Sequence, residues 1–176
     1  NVGALVVDIT PESLRCKWPV FAEGFDVIFE NACFQFFNRN RHAQIAYVKR
    51  VLKPGGLMLF FEKLTQEDRA EYERLEDVKN RLFKAKYLSP GDIDLKRRQF
   101  LQDMQNCQVT LAVLLHAIQQ HFGHAYVTWN STNFYNVVAS DDEVRLRNFV
   151  ELMGPGHMPD EFRCHTPFMQ LPAKIL

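Results

Sequence analysis

The sequence lacks an excess of charge of either sign, a closely spaced cysteine pair and a long apolar run. Its 176 residues include 21 lysines plus arginines and 21 aspartates plus glutamates, so no overall field favours nucleic acid, an anionic membrane or an acidic partner. The four cysteines stand far apart, without C-x-x-C or a histidine at ligand spacing, which indicates neither a disulfide framework nor a zinc site. No apolar run approaches a membrane span, and the first residues lack the charged start of a signal peptide. We therefore expect a cytoplasmic protein with reduced thiols, no membrane partner and no strong nucleic-acid signal.

The first third of the chain follows the pattern of an α/β domain. With 47% hydrophobic and 24% charged residues, the chain has the composition of one globular domain. Apolar runs predict strands at 4–9, 25–29 and 57–62, the last two flanking a helix at 42–53 that stops at a Pro-Gly-Gly turn. A strand, a helix and a buried strand in this order form the βαβ unit of a parallel sheet.

The remainder predicts helices followed by a hairpin. Thr65 can cap a charged helix, and Ser89 followed by proline begins another. Apolar periodicity predicts a helix at 110–121, and two β-rich runs at 125–129 and 134–140 predict an antiparallel hairpin, which makes the sheet mixed. After residue 140 we expect one short helix and irregular packing, because four of the eight prolines lie there.

Polar residues end the predicted strands. Asp8 and Ile9 end the first strand, and Glu30 and Asn31 end the second. Burying an unpaired polar group costs about 1–3 kcal/mol, so these side chains must meet solvent, a partner or a ligand. Ligands of open α/β sheets lie beyond the carboxyl ends of the strands, which makes them candidates for ligand contact. The alternative is local: Asp8 caps the following turn and Asn31 stabilises one.

For other polar residues the sequence predicts structural roles only. Glu62 and Lys63 read as a solvent-facing end of the third strand. Arg97 belongs to a Lys-Arg-Arg triplet, which is usually a solvated helix face. His116 and His121 lie near the apolar face of a predicted helix and are expected to pack there, with no acid-base partner.

A glycine-rich turn after the first strand is missing. None of the eight glycines forms one, since Gly55 and Gly56 precede a strand instead of following it. Either the domain does not bind a nucleotide, or the chain begins partway through such a domain. We expect the second, because a first strand at residue 4 has nothing before it to cover its faces.

Two stretches carry a family resemblance. FDVIFENACFQFF followed by YVKRVLKPGGLMLFFEKL resembles the fourth strand, helix and fifth strand of the class I S-adenosylmethionine-dependent methyltransferases. The resemblance implies a Rossmann-like α/β fold, shown here as its second half, and S-adenosylmethionine as the cofactor. It also implies that Asp8 and Ile9 contact the adenine and that Asn31 lies against the cofactor.

A closer resemblance joins further segments. ENACFQFF, FFEKL, FKAKYLSPGDIDLKRR and WNSTNF are similar to stretches of the carboxy-S-adenosylmethionine synthase family, which acts in tRNA wobble-uridine modification. The likeness spans residues 8 to about 140, with one extra residue between Tyr87 and Ile93, whereas 141–176 has no counterpart. It implies that Arg97 binds the extra carboxylate of a carboxylated cofactor, a task that suits a guanidinium.

Three functions are consistent with these residues. The first is a methyltransferase for a small-molecule substrate with Asp8, Ile9 and Asn31 on the nucleoside. The second is a carboxy-S-adenosylmethionine synthase-like enzyme with Arg97 as the carboxylate clamp, and the third is a non-catalytic partner subunit. We expect a methyltransferase domain over 1–140, a helical lid over 65–104 that selects the acceptor, and an extension over 141–176 packed on the domain; a homodimer is left open.

Overall fold

The structure, a computed structural model, describes residues 10, 13, 16–101, 104, 106–165 and 170–176. Its strands and helices are β1 (Phe25–Asn31), α1 (Arg41–Lys49), β2 (Leu52–Lys63), α2 (Arg69–Leu82), α3 (Pro90–Lys96), α4 (Leu111–Gln119), β3 (His124–Ser131), β4 (Phe134–Ser140), α5 (Glu143–Met153) and β5 (Ala173–Lys174). Single helical turns lie at Pro19–Phe21, Phe34–Phe36, Lys84–Lys86, Arg97–Leu101 and Asp160–Phe162. Within the described residues no helix is long and apolar enough to cross a membrane.

The five strands form one mixed sheet in the order β1-β2-β4-β3-β5. β1 and β2 run parallel, as expected of a βαβ unit, and β4 enters antiparallel between β2 and β3. This confirms the α/β class, the Rossmann-like mixed sheet and the antiparallel hairpin. The segment after residue 140 is more regular than expected, because it supplies α5 and the short strand β5, which pairs with β3. The domain boundary at residue 140 stays a prediction.

Helices cover both faces of the sheet. Successive residues of a strand point to opposite faces, so Met58 and Phe60 lie in the larger core while Leu57 lies in the smaller one. The larger core is closed by apolar residues of α1 and α4, including Ile45 and Leu114, both fully buried. Each such side chain contributes about 1.5–3 kcal/mol when it leaves water. The smaller core is closed by α5.

Several element boundaries differ from the expectations. The first helix ends at Lys49 rather than at residue 53, because the backbone N–H of Phe25 donates to Val51 and draws the chain into β2 from Leu52 onward. The charged helix is capped by Asp68 and not by Thr65, whose own N–H donates to Val109. Ser89 caps α3 as predicted.

β1 is more exposed than its run of apolar residues indicates. Val27 is 49% exposed and Phe29 is 55% exposed. In the part of the chain that the structure describes, β1 is the outer strand of the sheet and pairs only with β2. Glu30 is instead the one buried residue of this strand.

A fully buried ion pair fixes the core beside β2. The Arg41 guanidinium at the start of α1 faces the Glu62 carboxylate near the end of β2, with Nη2 and Oε2 2.7 Å apart and both side chains fully buried. Nε also donates to both carboxylate oxygens. The remaining guanidinium hydrogens reach the carbonyls of Asn38 and Cys107 and the side chain of Gln44. Every polar hydrogen of Arg41 can therefore be satisfied inside the protein.

Breaking this pair should cost far more than breaking a surface pair. Arg41→Met leaves a buried carboxylate unpaired and should lower the free energy of unfolding by about 3–5 kcal/mol, whereas Arg41→Met with Glu62→Leu should lower it less. Arg81→Met, which removes an exposed pair with Asp77, serves as control and should cost under about 1 kcal/mol. Urea unfolding at unchanged slope measures all of them. Equal losses in the two single variants would contradict the prediction.

Candidate functional site

The end of β1 is organised by Glu30. Its carboxylate accepts the backbone N–H groups of Cys33 and Phe34, the latter at 2.9 Å, and so holds the turn that follows the strand. Ala32 takes a positive φ of 57° in this turn, and its N–H donates to Phe61 on β2. This local role of Glu30 leaves Asn31 as the exposed polar side chain at the carboxyl end of the strand.

Glu30 titrates near neutrality. Burial raises its pKa to about 7, helped by the negative charge of Glu62 and opposed by the two N–H donors and by Arg41. The second carboxylate oxygen is buried and has no hydrogen-bond partner among the described residues. A proton on the carboxyl group is therefore favoured in the folded protein relative to the unfolded chain.

Glu30→Gln should remove a pH dependence of stability. Because the folded pKa is raised from 4.5 to about 7, Glu30 stabilises the wild type fully below pH 4.5 and loses this contribution as pH rises through 7. The loss is about 3 kcal/mol at most. Gln keeps the acceptor oxygen for Cys33 and Phe34, so the variant should equal or exceed wild-type stability at pH 8. Urea unfolding from pH 4.5 to 8 tests this, with exposed Glu23→Gln as control; parallel profiles for wild type and Glu30→Gln would contradict it.

The end of β2 is buried, which corrects the expectation that Glu62 and Lys63 face solvent. Glu62 is buried by Arg41, and the Lys63 ammonium lies 3.0 Å from Glu76 on α2. Lys79, one helical turn further, lies 2.6 Å from the other oxygen of Glu76. The sequence indicated an exposed strand end because the partners of Glu62 and Lys63 lie far from them in the sequence.

Glu76 is the centre of this second charged cluster. Burial would raise its pKa, but the charges of Lys79 and Lys63 outweigh burial and lower it to about 2. Burial and the nearby Lys63 lower the pKa of Lys79 to about 8, against the pull of Glu76. Asn133, in the β3–β4 turn, donates to Glu76 at 3.2 Å and ties the hairpin to α2. The cluster thus fixes α2, and with it the segment 65–104 that was predicted to be a helical lid and is called the insertion below, onto the sheet.

A polar cavity of about 340 Å³ opens between this insertion and the segment before α4. It begins directly after the carboxyl end of β2. Three arginines, two carboxylates and several neutral polar groups line it: Arg39, Thr65, Gln66, Arg69, Tyr72, Glu73, Glu76, Arg97, Asn106 and Gln108. Anions with hydrogen-bond acceptors are the ligands that such a lining suits.

The candidate site residues predicted from the sequence do not all lie at one place in the structure. Arg97 lines the cavity, from the exposed helical turn that follows α3. Asn31 lies at the end of β1 and is not among the described residues of the cavity wall. Asp8 and Ile9 lie outside the described residues. The sequence did not predict that Arg69, Tyr72 and Gln108 line a cavity, because neither a charged helix nor a glutamine in a loop indicates one.

The two helix histidines do not pack as expected. His116 is exposed and contacts Gln120. His121 lies beyond the end of α4 and contacts His42 of α1, with the rings tilted by 32°, their centroids 4.6 Å apart and Nε2 3.0 Å from Nδ1. This pair joins α1 to α4 at the surface.

A second, more open cavity of about 490 Å³ lies beside Phe61 and Trp129. Gly154, Gly156 and His157 of the chain after α5 form its other wall. At Gly156 a side chain would meet the Thr128 carbonyl at 2.9 Å, so only glycine allows this close approach. Trp129 thus forms part of the cavity wall.

Comparison with known proteins gives one similar curated sequence. No family model matches the chain. It is 29% identical over 142 residues to carboxy-S-adenosyl-L-methionine synthase of Shewanella woodyi, which covers 79% of this chain. The chain spans 58% of the length of that synthase.

Two solved structures match the chain at low TM-scores. An O-methyltransferase family protein from Burkholderia thailandensis gives a TM-score of 0.42 at 15% identity, over 69% of this chain and 32% of the other. A possible exported protein from Bordetella parapertussis gives 0.40 at 17% identity, over 67% and 39%. The alignment with the synthase supports the relationship to the class I S-adenosylmethionine-dependent methyltransferases that the sequence motifs indicate.

Proposed function

We propose that the protein is an S-adenosylmethionine-dependent methyltransferase that acts on a small-molecule acceptor. The observation that carries the proposal is the exposed Asn31 amide at the carboxyl end of β1, beside the parallel strand β2. Ligands of open α/β sheets bind at this edge. The similarity to the synthase gives the family-level support. Asp8 and Ile9 are assigned to the nucleoside by the sequence resemblance.

The residues at this edge fit a nucleoside in their chemistry. An amide both donates and accepts hydrogen bonds, as a ribose or adenine edge requires, and the Glu30 carboxylate fixes the turn beside it. S-adenosylmethionine supplies an activated methyl group on its sulfonium. The chain's own residues then bind, orient the acceptor and exclude water, and methyl transfer needs no acid-base pair from them.

A second candidate function is favoured by the arginine-lined cavity. Arg97 shares the cavity with Arg39 and Arg69, and a guanidinium grips a carboxylate with two parallel hydrogen bonds. The named relative is a carboxy-S-adenosyl-L-methionine synthase. Under this proposal, the protein makes or uses a carboxylated cofactor and Arg97 binds its extra carboxylate.

The segment 65–104 is the proposed lid that selects the acceptor. Seven of its residues line the cavity, and the Lys63–Glu76–Lys79 cluster fixes its first helix onto the sheet. Acceptor contacts and the Asn31 edge therefore reside on different elements. This supports a lid whose replacement changes acceptor preference and leaves cofactor affinity unchanged.

Native mass spectrometry of the protein in its natural full length separates these functions. Samples as purified and after soaking with S-adenosylmethionine are compared for wild type, Arg97→Ala and Arg98→Ala, the last being an exposed neighbour outside the cavity wall. Equal binding of the ordinary cofactor by all three supports the methyltransferase. A ligand heavier by one carboxyl group, lost only in Arg97→Ala, supports the second function. No cofactor in any sample would overturn both and favour a non-catalytic partner subunit.

Asn31→Ala should weaken S-adenosylmethionine binding without loss of stability. The Asn31 side chain is exposed, so its removal leaves no buried group unpaired. Losing one or two hydrogen bonds to the nucleoside should raise the Kd about 3- to 30-fold. Isothermal titration gives the Kd and thermal unfolding the stability, with exposed Asn38→Ala as a comparison for the same truncation. An unchanged Kd would remove Asn31 from the site.

A further inference from the structure

The cavity beside Phe61 and Trp129 has a wall of aromatic and neutral polar residues. None of the residues described in its wall is an acid, a lysine or an arginine. It therefore differs from the arginine-lined cavity, with which it shares no described residue. A charged ligand needs a partner charge when it leaves water, so this cavity suits a neutral molecule. Its volume of about 490 Å³ lies within the range of small-molecule sites.

Three strands place an amide between two aromatic rings in this wall. Asn136 of β4 is the register partner of Phe61 on β2 and of Trp129 on β3, and residues paired in this way share one face of a sheet. The register shifts at Thr128, and such a bulge re-aims the side chains beside it. The rings of Phe61 and Trp129 lie 5.9 Å apart and are tilted by 42°. Together they offer a surface on which a flat ring can stack.

The Asn136 carboxamide is not held in place by a hydrogen bond to its oxygen. This oxygen is buried and has no hydrogen-bond partner among the described residues. An unpaired buried acceptor is costly and rare in folded proteins. Rotation about the last bond of an asparagine side chain is soft, so the amide can turn toward the cavity and exchange the unpaired oxygen for a hydrogen bond to a ligand. A carboxamide offers one acceptor and two donors for this purpose.

The segment after α5 supplies the opposite wall at close range. Gly154 takes a positive φ of 70° where α5 ends, and a side chain at Gly156 would lie 2.9 Å from the Thr128 carbonyl and 3.5 Å from the Trp129 ring. Further on, the His165 ring lies 3.2 Å from the Asn130 side-chain oxygen. The segment is therefore fixed to the sheet on both sides of the cavity. It belongs to the part of the chain after residue 140, for which the sequence resemblance gives no counterpart.

We propose that this cavity binds an uncharged heteroaromatic molecule that carries an N–H donor and an acceptor side by side on one edge. The ring stacks on Trp129 and Phe61, the paired edge exchanges two hydrogen bonds with the Asn136 carboxamide, and the segment at Gly156 closes over the other side. The site goes beyond the proposed function, because it is separate from the arginine-lined cavity and needs neither Arg97 nor the insertion.

The test measures binding of 6-fluoro-2-quinolone to the protein in its natural full length by ¹⁹F NMR. Its lactam edge presents the required donor and acceptor, and the N-methyl derivative of the same compound lacks the donor. Wild type should bind the quinolone saturably and the N-methyl compound at least tenfold more weakly, as expected for one or two lost hydrogen bonds. Equal affinity for the two probes, or no binding of either, would overturn the proposal.

Asn136→Leu separates a role in binding from a role in folding. The variant should bind the quinolone about tenfold more weakly and should no longer distinguish it from the N-methyl compound. Because the Asn136 oxygen has no partner, the variant should unfold at the wild-type temperature or above it. A clear loss of stability with an unchanged preference for the quinolone would make Asn136 a structural residue and overturn the proposal.

Two further variants test the stacking surface and the opposite wall. Trp129→Leu should weaken both probes about tenfold through lost stacking, whereas Trp18→Leu, outside the cavity wall, should weaken neither. Gly156→Ala should weaken both probes about tenfold, because the added carbon would displace the segment from the Thr128 carbonyl. Gly123→Ala is the matched control, since a carbon added there meets nothing within 4 Å. Unchanged affinities in both Trp129→Leu and Gly156→Ala would contradict the assignment.

S-adenosylmethionine is added to the same samples as a competitor. Quinolone that stays bound in the presence of saturating S-adenosylmethionine supports a separate site. Displacement of the quinolone would assign the cavity to the cofactor and overturn the inference while leaving the proposed methyltransferase function intact. Quinolone binding in a protein that does not bind S-adenosylmethionine would do the reverse.

Discussion

The described structure depends most on one buried ion pair, Arg41 with Glu62. Its guanidinium meets the carboxylate at 2.7 Å and also satisfies the carbonyls of Asn38 and Cys107. It therefore joins the start of α1, the end of β2 and the segment before α4, three parts of the chain that no run of sequence brings together. A buried charge is tolerated only when it is paired. A shift of any one of these parts would leave a buried charged or polar group without its partner, which is costly.

Glu62 anchors elements of the core through Arg41, and the next residue, Lys63, anchors the insertion to the sheet through Glu76. Successive strand residues point in opposite directions, so one strand end anchors two different groups of elements. Lys63 and Lys79 hold Glu76, and Asn133 adds the hairpin to the same cluster. These charges are therefore satisfied among themselves.

The parts of the fold that depend on local sequence patterns could be predicted from the sequence. The parts of the site that depend on contacts between residues distant in the sequence could not. Apolar runs predict β1, β2 and the hairpin, and Ser89 with its proline predicts the start of α3, because capping and strand formation act over a few residues. The burial of Glu62 and Lys63 was missed, since their partners Arg41 and Glu76 stand apart in the chain and nothing beside the strand end signals them. Likewise, Arg97 emerged only through a family resemblance, while Tyr72 and Gln108 carry no motif.

The carboxyl ends of the two parallel strands, β1 and β2, are held in different ways. The edge at Asn31 is set by a turn that Glu30 holds, within a few residues of the strand. The cavity at Arg97 is built by the insertion and by the segment around Gln108, which the core ion pair fixes from below. Arg97 lies in an exposed turn of the cavity wall, so its substitution leaves the strand ends and the charged clusters in place.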